Sequence, residues 1–302
     1  MQSSIRGLLI IGLMFSIVRF GLADDGHPFA GTDLEVRRDV EFVQRADESL
    51  KLDLYLQKMT GLAPVILHVH GGGFVGGDKR DLPIDLLQLL VKAGCSVISV
   101  NYRLAPKHPF PAAPDDVETS IDWVRTRAAE LRADKSKIVL LGASAGGLLV
   151  SLVGARHRPA NEIAGVVALY GEHDLPLRVS ENPCSSDGRT FPRPADGCIS
   201  PGLGAFLGFS KVSPEHDPIL KAASAANQVH PDMPPYLLVH GTRDFGVPFE
   251  QSVSMQQTML RLGATCKLVP VVGGGHGGWS APSMQHYRTD VETWIRETLH
   301  IR

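Results

Sequence analysis

Ile138-Val139-Leu140-Leu141-Gly142-Ala143-Ser144-Ala145-Gly146-Gly147-Leu148-Leu149-Val150 is an apolar run broken by Gly-x-Ser-x-Gly and resumed at once. A strand that passes straight into a helix through such a turn holds its middle residue in a strained backbone conformation. The flanking glycines leave room for the neighbouring strand and helix. Ser144 then stands above the sheet edge with its hydroxyl exposed, the nucleophile-elbow pattern. A chain with 31 glycines will produce this pentapeptide by chance. Its weight therefore depends on a base, an acid and oxyanion donors elsewhere.

Working outward, short and almost uninterrupted apolar runs occur at 65–69, 97–100, 138–141, 166–170, 236–239 and 267–272. Such runs suit parallel strands buried on both faces. Segments of helical period separate them, at 82–92, 115–131, 148–156, 249–262 and 283–299. Before the first run, residues 34–44 and 50–57 alternate as antiparallel strands do, most strictly in Leu50-Lys51-Leu52-Asp53-Leu54-Tyr55-Leu56. The expected fold is α/β: a mostly parallel, doubly wound sheet with antiparallel N-terminal strands. Ligands of such sheets lie at the carboxyl ends of the strands. One region breaks the rhythm. Residues 172–217, after the sixth strand, are rich in Pro, Gly and Ser and too long for an ordinary connection. They read as a small insertion over the site, with a plain surface loop as the alternative.

Three further stretches supply the missing parts. His70-Gly71-Gly72-Gly73-Phe74 ends the first buried run. Acyl transfer needs N–H donors aimed at the developing oxyanion, and glycines let the backbone turn them inward. Gly72 and Gly73 are the expected donors, joined by Ala145, with His70 and Gly71 supporting the loop. His276, between glycines after the last strand run, is the expected base among 12 histidines. Asp244, the first carboxylate after the 236–239 run, is the expected acid, in the order Ser, acid, His of this fold. Asp174, at the preceding strand end, is its rival. Asp115 and Asp116 read as helix-start residues with an ion pair to Arg103, not as a catalytic carboxylate pair. Phe74 and Trp279 are candidates for the pocket wall or the core.

Composition narrows the rest. The 302 residues are 43% hydrophobic and 21% charged, with a formal net charge of −2. That permits a large core and offers no concentrated basic face for nucleic acid. Arg6, the apolar run 7–18 and Gly21-Leu22-Ala23 read as a secretory signal over 1–23, cleaved after Ala23. The run is short for a membrane span, though an uncleaved anchor is the alternative. Residues 24–302 then form the folded domain of a secreted or periplasmic protein, with no stable membrane association expected. Of four cysteines, Cys95 and Cys266 sit in apolar runs and read as core residues. Cys184 and Cys198 flank the polar insertion, where an oxidising compartment favours a disulfide. No Cys/His spacing resembles a zinc site, and neither metal nor cofactor is expected.

His70–Gly73, Asn101–Pro106, Gly142–Gly146, Gly241–Pro248 and Gly275-His276-Gly277, together with Leu52-Asp53-Leu54-Tyr55, resemble the α/β-hydrolase superfamily. Within it, they are similar to the His-Gly-Gly-Gly carboxylesterases, including hormone-sensitive-lipase-like and feruloyl- or acetylxylan-esterase-like members. The resemblance runs from Val36 to Leu299. It implies Ser144 as nucleophile, His276 as base, Asp244 as orienting acid, and hydrolysis of short-chain acyl esters through an acyl-enzyme. Compartment adds acetyl or feruloyl groups on polysaccharide as substrates. The alternatives are small-amide hydrolysis by the same machinery, or a binding protein on a hydrolase scaffold. The chain departs from the resemblance in two ways: no large N-terminal helical cap is expected, and the 172–217 insertion has no named counterpart.

Overall fold

A computed structural model describes residues 33–157, 163–181 and 199–301. The strands are β1 (Leu34–Gln44), β2 (Ser49–Gln57), β3 (Ala63–Val69), β4 (Ser96–Val100), β5 (Ala133–Ala143), β6 (Gly165–Leu169), β7 (Tyr236–Gly241) and β8 (Cys266–Val271). They form one sheet in the order β1-β2-β4-β3-β5-β6-β7-β8. β1 pairs antiparallel with β2, and β2 with β4; the pairs from β4 to β8 are all parallel. The doubly wound α/β arrangement expected from the apolar runs is what is seen. The order reverses between β3 and β5, the switch point where crevices open in such sheets.

The helices are α1 (Ile84–Lys92), α2 (Ala112–Thr126), α3 (Ala128–Leu131), α4 (Ala145–Arg156), α5 (Leu175–Glu181), α6 (Pro201–Leu207), α7 (Asp217–Ala222), α8 (Glu250–Arg261) and α9 (Ala281–Leu299). Central-strand residues alternate between two cores, as a period of two requires. Val65, Leu67, Ile138 and Leu140 join Val117 of α2, Leu148 of α4 and Met255 of α8 on one face. Ile66, Val139 and Leu141 join Leu86 of α1 and Val291 of α9 on the other. Burial on both faces explains why these strands read as unbroken apolar runs.

Several boundaries differ from the sequence reading. The helix expected over 115–131 begins at Ala112 and divides at Arg127, whose φ of −106° and ψ of 13° leave the helical region. Its guanidinium lies 4.7 Å over the Trp123 ring. Pro114 does not delay the helix, because a missing N–H costs nothing in a first turn. β5 starts at Ala133 instead of Ile138, its polar first residues being paired through Ala133 to Ala63. Cys95 and Cys266 are buried free thiols, pushed up to about 12 by burial. Cys184, Cys198 and the expected 1–23 signal lie outside the described residues. Among the described residues, no helix is long and apolar enough to cross a membrane.

α4 starts at Ala145 instead of Leu148 because Gly146 and Gly147 are themselves helical. A Cβ on Gly146 would fall onto the carbonyls of Val69 and His70, so only glycine lets α4 approach the end of β3. Gly146→Ala is expected to destabilise the fold by about 3 kcal/mol, in the range of forced overpacking. Gly61→Ala, whose nearest neighbour is the Met59 methyl at 4.0 Å, should change stability by less than about 1 kcal/mol. Equal denaturation midpoints for the two variants would refute this reading of the elbow.

Candidate active site

Ser144 sits between the last residue of β5 and the first of α4, at φ 55° and ψ −121°. Few non-glycine residues adopt this backbone, and it is the strained turn that the pentapeptide implied. The Ser144 N–H donates to the Leu169 carbonyl at 2.9 Å, while its own carbonyl accepts from Leu148 N at 3.1 Å. The turn is thus tied to β6 on one side and opens the helix on the other. Ala145, at the first helical position, has an N–H with no acceptor one turn back, and the helix dipole adds positive potential there.

The sheet order brings the partners in. β3 and β5 are neighbours, so the 70–73 loop lies beside the elbow. β7 and β8 are adjacent, so the turn carrying Asp244 lies beside the loop carrying His276. Ser144 Oγ is 2.8 Å from His276 Nε2, and His276 Nδ1 is 2.7 Å from Asp244 Oδ2. Since a carboxylate only accepts, the Nδ1 proton belongs to His276, which leaves Nε2 to accept from the serine hydroxyl. Asp244 Oδ1 accepts from Gly246 N at 2.8 Å and Val247 N at 2.9 Å. Burial alone would raise the Asp244 pKa, but hydrogen bonds from His240 and His276 hold it far below the usual carboxylate range. Asp174, the rival, is committed elsewhere: it accepts from Leu177 N at 3.1 Å and Ser254 Oγ at 2.8 Å.

A cavity of about 210 Å³ opens at Ser144. Gly73 and Ala145 line it together with Ser144 and His276. Gly72 does not line it; its carbonyl turns back to accept from Val75 N and Gly76 N. The loop depends on left-handed glycines, Gly72 at φ 108° and Gly73 at φ 60°. Behind it, the buried His70 ring stacks on Tyr102, with centroids 4.3 Å apart. His70 Nδ1 bonds the Gly71 carbonyl at 2.7 Å, and Tyr102 Oη donates to the His70 carbonyl at 3.1 Å. Burial pushes the His70 pKa down, which suits a neutral brace.

The insertion supplies a wall. Ser200, Gly202 and Leu203 at the start of α6 line the cavity, and Phe206 of α6 stacks on Phe74 at 4.2 Å. Phe74 is a wall residue as well as a core one. Trp279 is not: it packs edge-on to Tyr170 and Tyr287, and its Nε1 donates to the Gly275 carbonyl at 2.8 Å, holding the His276 loop. Asp116 is fully buried and bonded to Arg103 Nε at 2.8 Å and Arg45 Nη2 at 2.6 Å. This is the structural ion pair expected of it.

Sequence reading missed three groups. Arg178 of α5 and Glu172 form a buried pair at 2.9 Å on the cavity wall, and Arg178 Nη2 donates to the Gly246 carbonyl at 2.7 Å. Neither lies in a motif. Tyr170, at φ 41°, sets its ring edge-on to His276 with centroids 4.9 Å apart. His240, within β7, comes within 3.2 Å of Asp244 Oδ2, and its position four residues before the acid is the one signal the sequence offers.

The family model described as BD-FAE matches residues 52–259. Esterase LipC of Mycobacterium tuberculosis is 27% identical over 251 residues, covering 76% of this chain and 57% of LipC. Esterase LipI of the same organism is 43% identical over 96 residues, covering 32% of this chain and 30% of LipI. At most little more than half of either relative is therefore spanned. A solved structure described as a truncated carbohydrate esterase from gut microbiota is 25% identical with a TM-score of 0.73, covering 88% of this chain and 96% of that one. A bacterial heroin esterase structure, 23% identical with a TM-score of 0.73 over 90% of this chain and 86% of its own, shares the fold.

Proposed function

This chain belongs to the BD-FAE family, a carboxylesterase family of α/β-hydrolases, and from that premise we propose that it hydrolyses short-chain carboxylic esters through an acyl-enzyme. The observation that carries the reading is the continuous hydrogen-bonded line from Ser144 Oγ to His276 to Asp244, at 2.8 Å and 2.7 Å. In this reading His276 Nε2 takes the hydroxyl proton as Ser144 Oγ attacks the ester carbonyl. The tetrahedral oxyanion rests on the N–H groups of Ala145 and Gly73, the two that line the cavity. His276 then returns the proton to the departing alcohol, and water repeats the sequence on the acyl-enzyme. A binding protein on this scaffold has no need of a connected triad, which disfavours that alternative.

The cavity of about 210 Å³, with Phe74 and Leu203 in its walls, supports a short acyl group. The likeness to a carbohydrate esterase and the expected signal peptide support acetyl groups on extracellular polysaccharide as substrates, ahead of the bulkier feruloyl group. Export itself is tested by N-terminal sequencing of the mature protein, which should begin at Asp24. For p-nitrophenyl esters, kcat/KM for acetate and butyrate is expected to exceed that for decanoate by at least about tenfold, since each methylene that does not fit forces the walls apart. Preference for decanoate would sink the short-chain assignment. Faster cleavage of p-nitroanilides than of the matching esters would favour an amidase.

A further inference from the structure

His240 is the residue before Gly241, which ends β7, and it is fully buried. Its Nε2 lies 2.9 Å from the Val247 carbonyl and 3.2 Å from Asp244 Oδ2, both of which can only accept. The ring proton therefore sits on Nε2. Nδ1 lies 2.8 Å from Ser252 Oγ, in the first turn of α8, and accepts from that hydroxyl in the neutral ring. The edge of the ring faces Phe249. Asp244 Oδ1 thus accepts two backbone amides and Oδ2 accepts from His276, while the His240 Nε2–H, bonded to the Val247 carbonyl, lies 3.2 Å from Oδ2 as a shared, weaker donor. Rotating the carboxylate would strand buried donors, at a cost that keeps Oδ2 turned to His276.

We propose that His240 is a positioning residue for the acid: it locks the Asp244 carboxylate from behind and moderates the charge that Asp244 presents to His276. The inference rests on the triad reading given above. It uses one side chain to connect β7, the acid turn and α8, and it explains why a polar ring occupies a fully buried strand position. Other titratable groups surround the pair. His173, in the loop after β6, is fully buried and pushed down to about 3, chiefly by burial, so it brings no charge. Tyr170, facing Asp244 from the end of β6, is raised to about 12, chiefly by burial, and is uncharged at working pH. Arg178 donates to the Gly246 carbonyl of the acid turn and pairs with Glu172.

Removing the Nε2–H donor leaves the negative charge of Asp244 less shared, so it stabilises protonated His276 more strongly. The acid limb of the kcat/KM profile for p-nitrophenyl acetate should then move to higher pH. In His240→Phe the shift is expected to be about half a pH unit, the scale of one hydrogen bond to a carboxylate. With it, kcat falls about tenfold and KM stays within about twofold, as loss of orientation predicts. His240→Gln keeps an N–H donor and should recover most of both effects. A purely structural His240 would lower the melting temperature and leave the limb unmoved, which overturns the inference. Should His240→Phe fail to fold, the wild-type protein carrying ¹⁵N-labelled histidine decides. The His240 Nε2–H resonance must shift as His276 titrates, and an unmoved resonance overturns the inference equally. Because that signal needs no turnover, a wild type that cleaves no ester defeats the catalytic reading alone. Ester cleavage with an unmoved limb in His240→Phe defeats only the role of His240.

Discussion

Ser144→Ala is expected to lower kcat/KM for p-nitrophenyl acetate by more than about a thousandfold, the scale seen when a triad nucleophile is removed and the rest of the site is left to act on its own. The substitution should leave the fold intact. Ser144 owes its φ of 55° to the turn around it, and its two backbone hydrogen bonds, to Leu169 and Leu148, do not involve the side chain. The hydroxyl makes its contact with His276 across the open cavity, so its loss leaves no buried donor unpaired. The check is paired: steady-state kinetics beside thermal denaturation, with an organophosphonate used to label the wild type. The label should appear on the peptide containing Ser144 and be absent from the variant. Retention of more than about a thousandth of wild-type activity at an unchanged melting temperature would reject the acyl-enzyme route.

Asp244→Asn tests the geometry more finely, because it keeps the size of the side chain and reverses one donor. The two backbone amides of Gly246 and Val247 need an acceptor, so the asparagine carbonyl will take the place of Oδ1. The NH₂ group then stands where Oδ2 was, 2.7 Å from His276 Nδ1 and 3.2 Å from His240 Nε2. Facing a donor, His276 Nδ1 must become an acceptor, and the ring proton moves to Nε2. That nitrogen can no longer take the proton of Ser144. The expected fall in kcat is about three to four orders of magnitude, with KM changed far less, the penalty known for the wrong tautomer in such triads. Recovery of rate at high pH, where free hydroxide substitutes for the missing base, would mark the tautomer as the cause. A loss of less than about tenfold would show that Asp244 is not the orienting acid.

Much of the site was legible because its chemistry makes demands on the backbone. The elbow needs glycine at 146, where α4 comes within contact of the end of β3, and at 142, where a Cβ would strike the Gly146 carbonyl. The oxyanion loop needs glycine at 72 and 73, since both take positive φ. Requirements of this kind leave marks at fixed spacing. Residues that act only through side-chain contact leave none. Arg178 and Glu172 meet on the cavity wall from α5 and the loop before it, within an insertion that has no motif. Tyr170 supports His276 across a long sequence separation. His240 looked like any strand residue until the acid turn folded back over it.

By itself the sequence determined the alternation of strand and helix, the buried character of the parallel strands, and which serine, histidine and aspartate stand at strand ends. These are properties of local periodicity and of backbone conformations that few residues tolerate. Only the tertiary structure decided that β3 lies beside β5 and β7 beside β8, and so which loops meet. It also decided which carboxylate meets His276: Asp244 does, while Asp174 takes its donors from Leu177 and Ser254. The cavity walls and the second imidazole on Asp244 belong to the same class. Each depends on contacts between residues far apart in the chain, and the pairing of distant side chains is set by how the layers pack, not by any pattern a single segment carries.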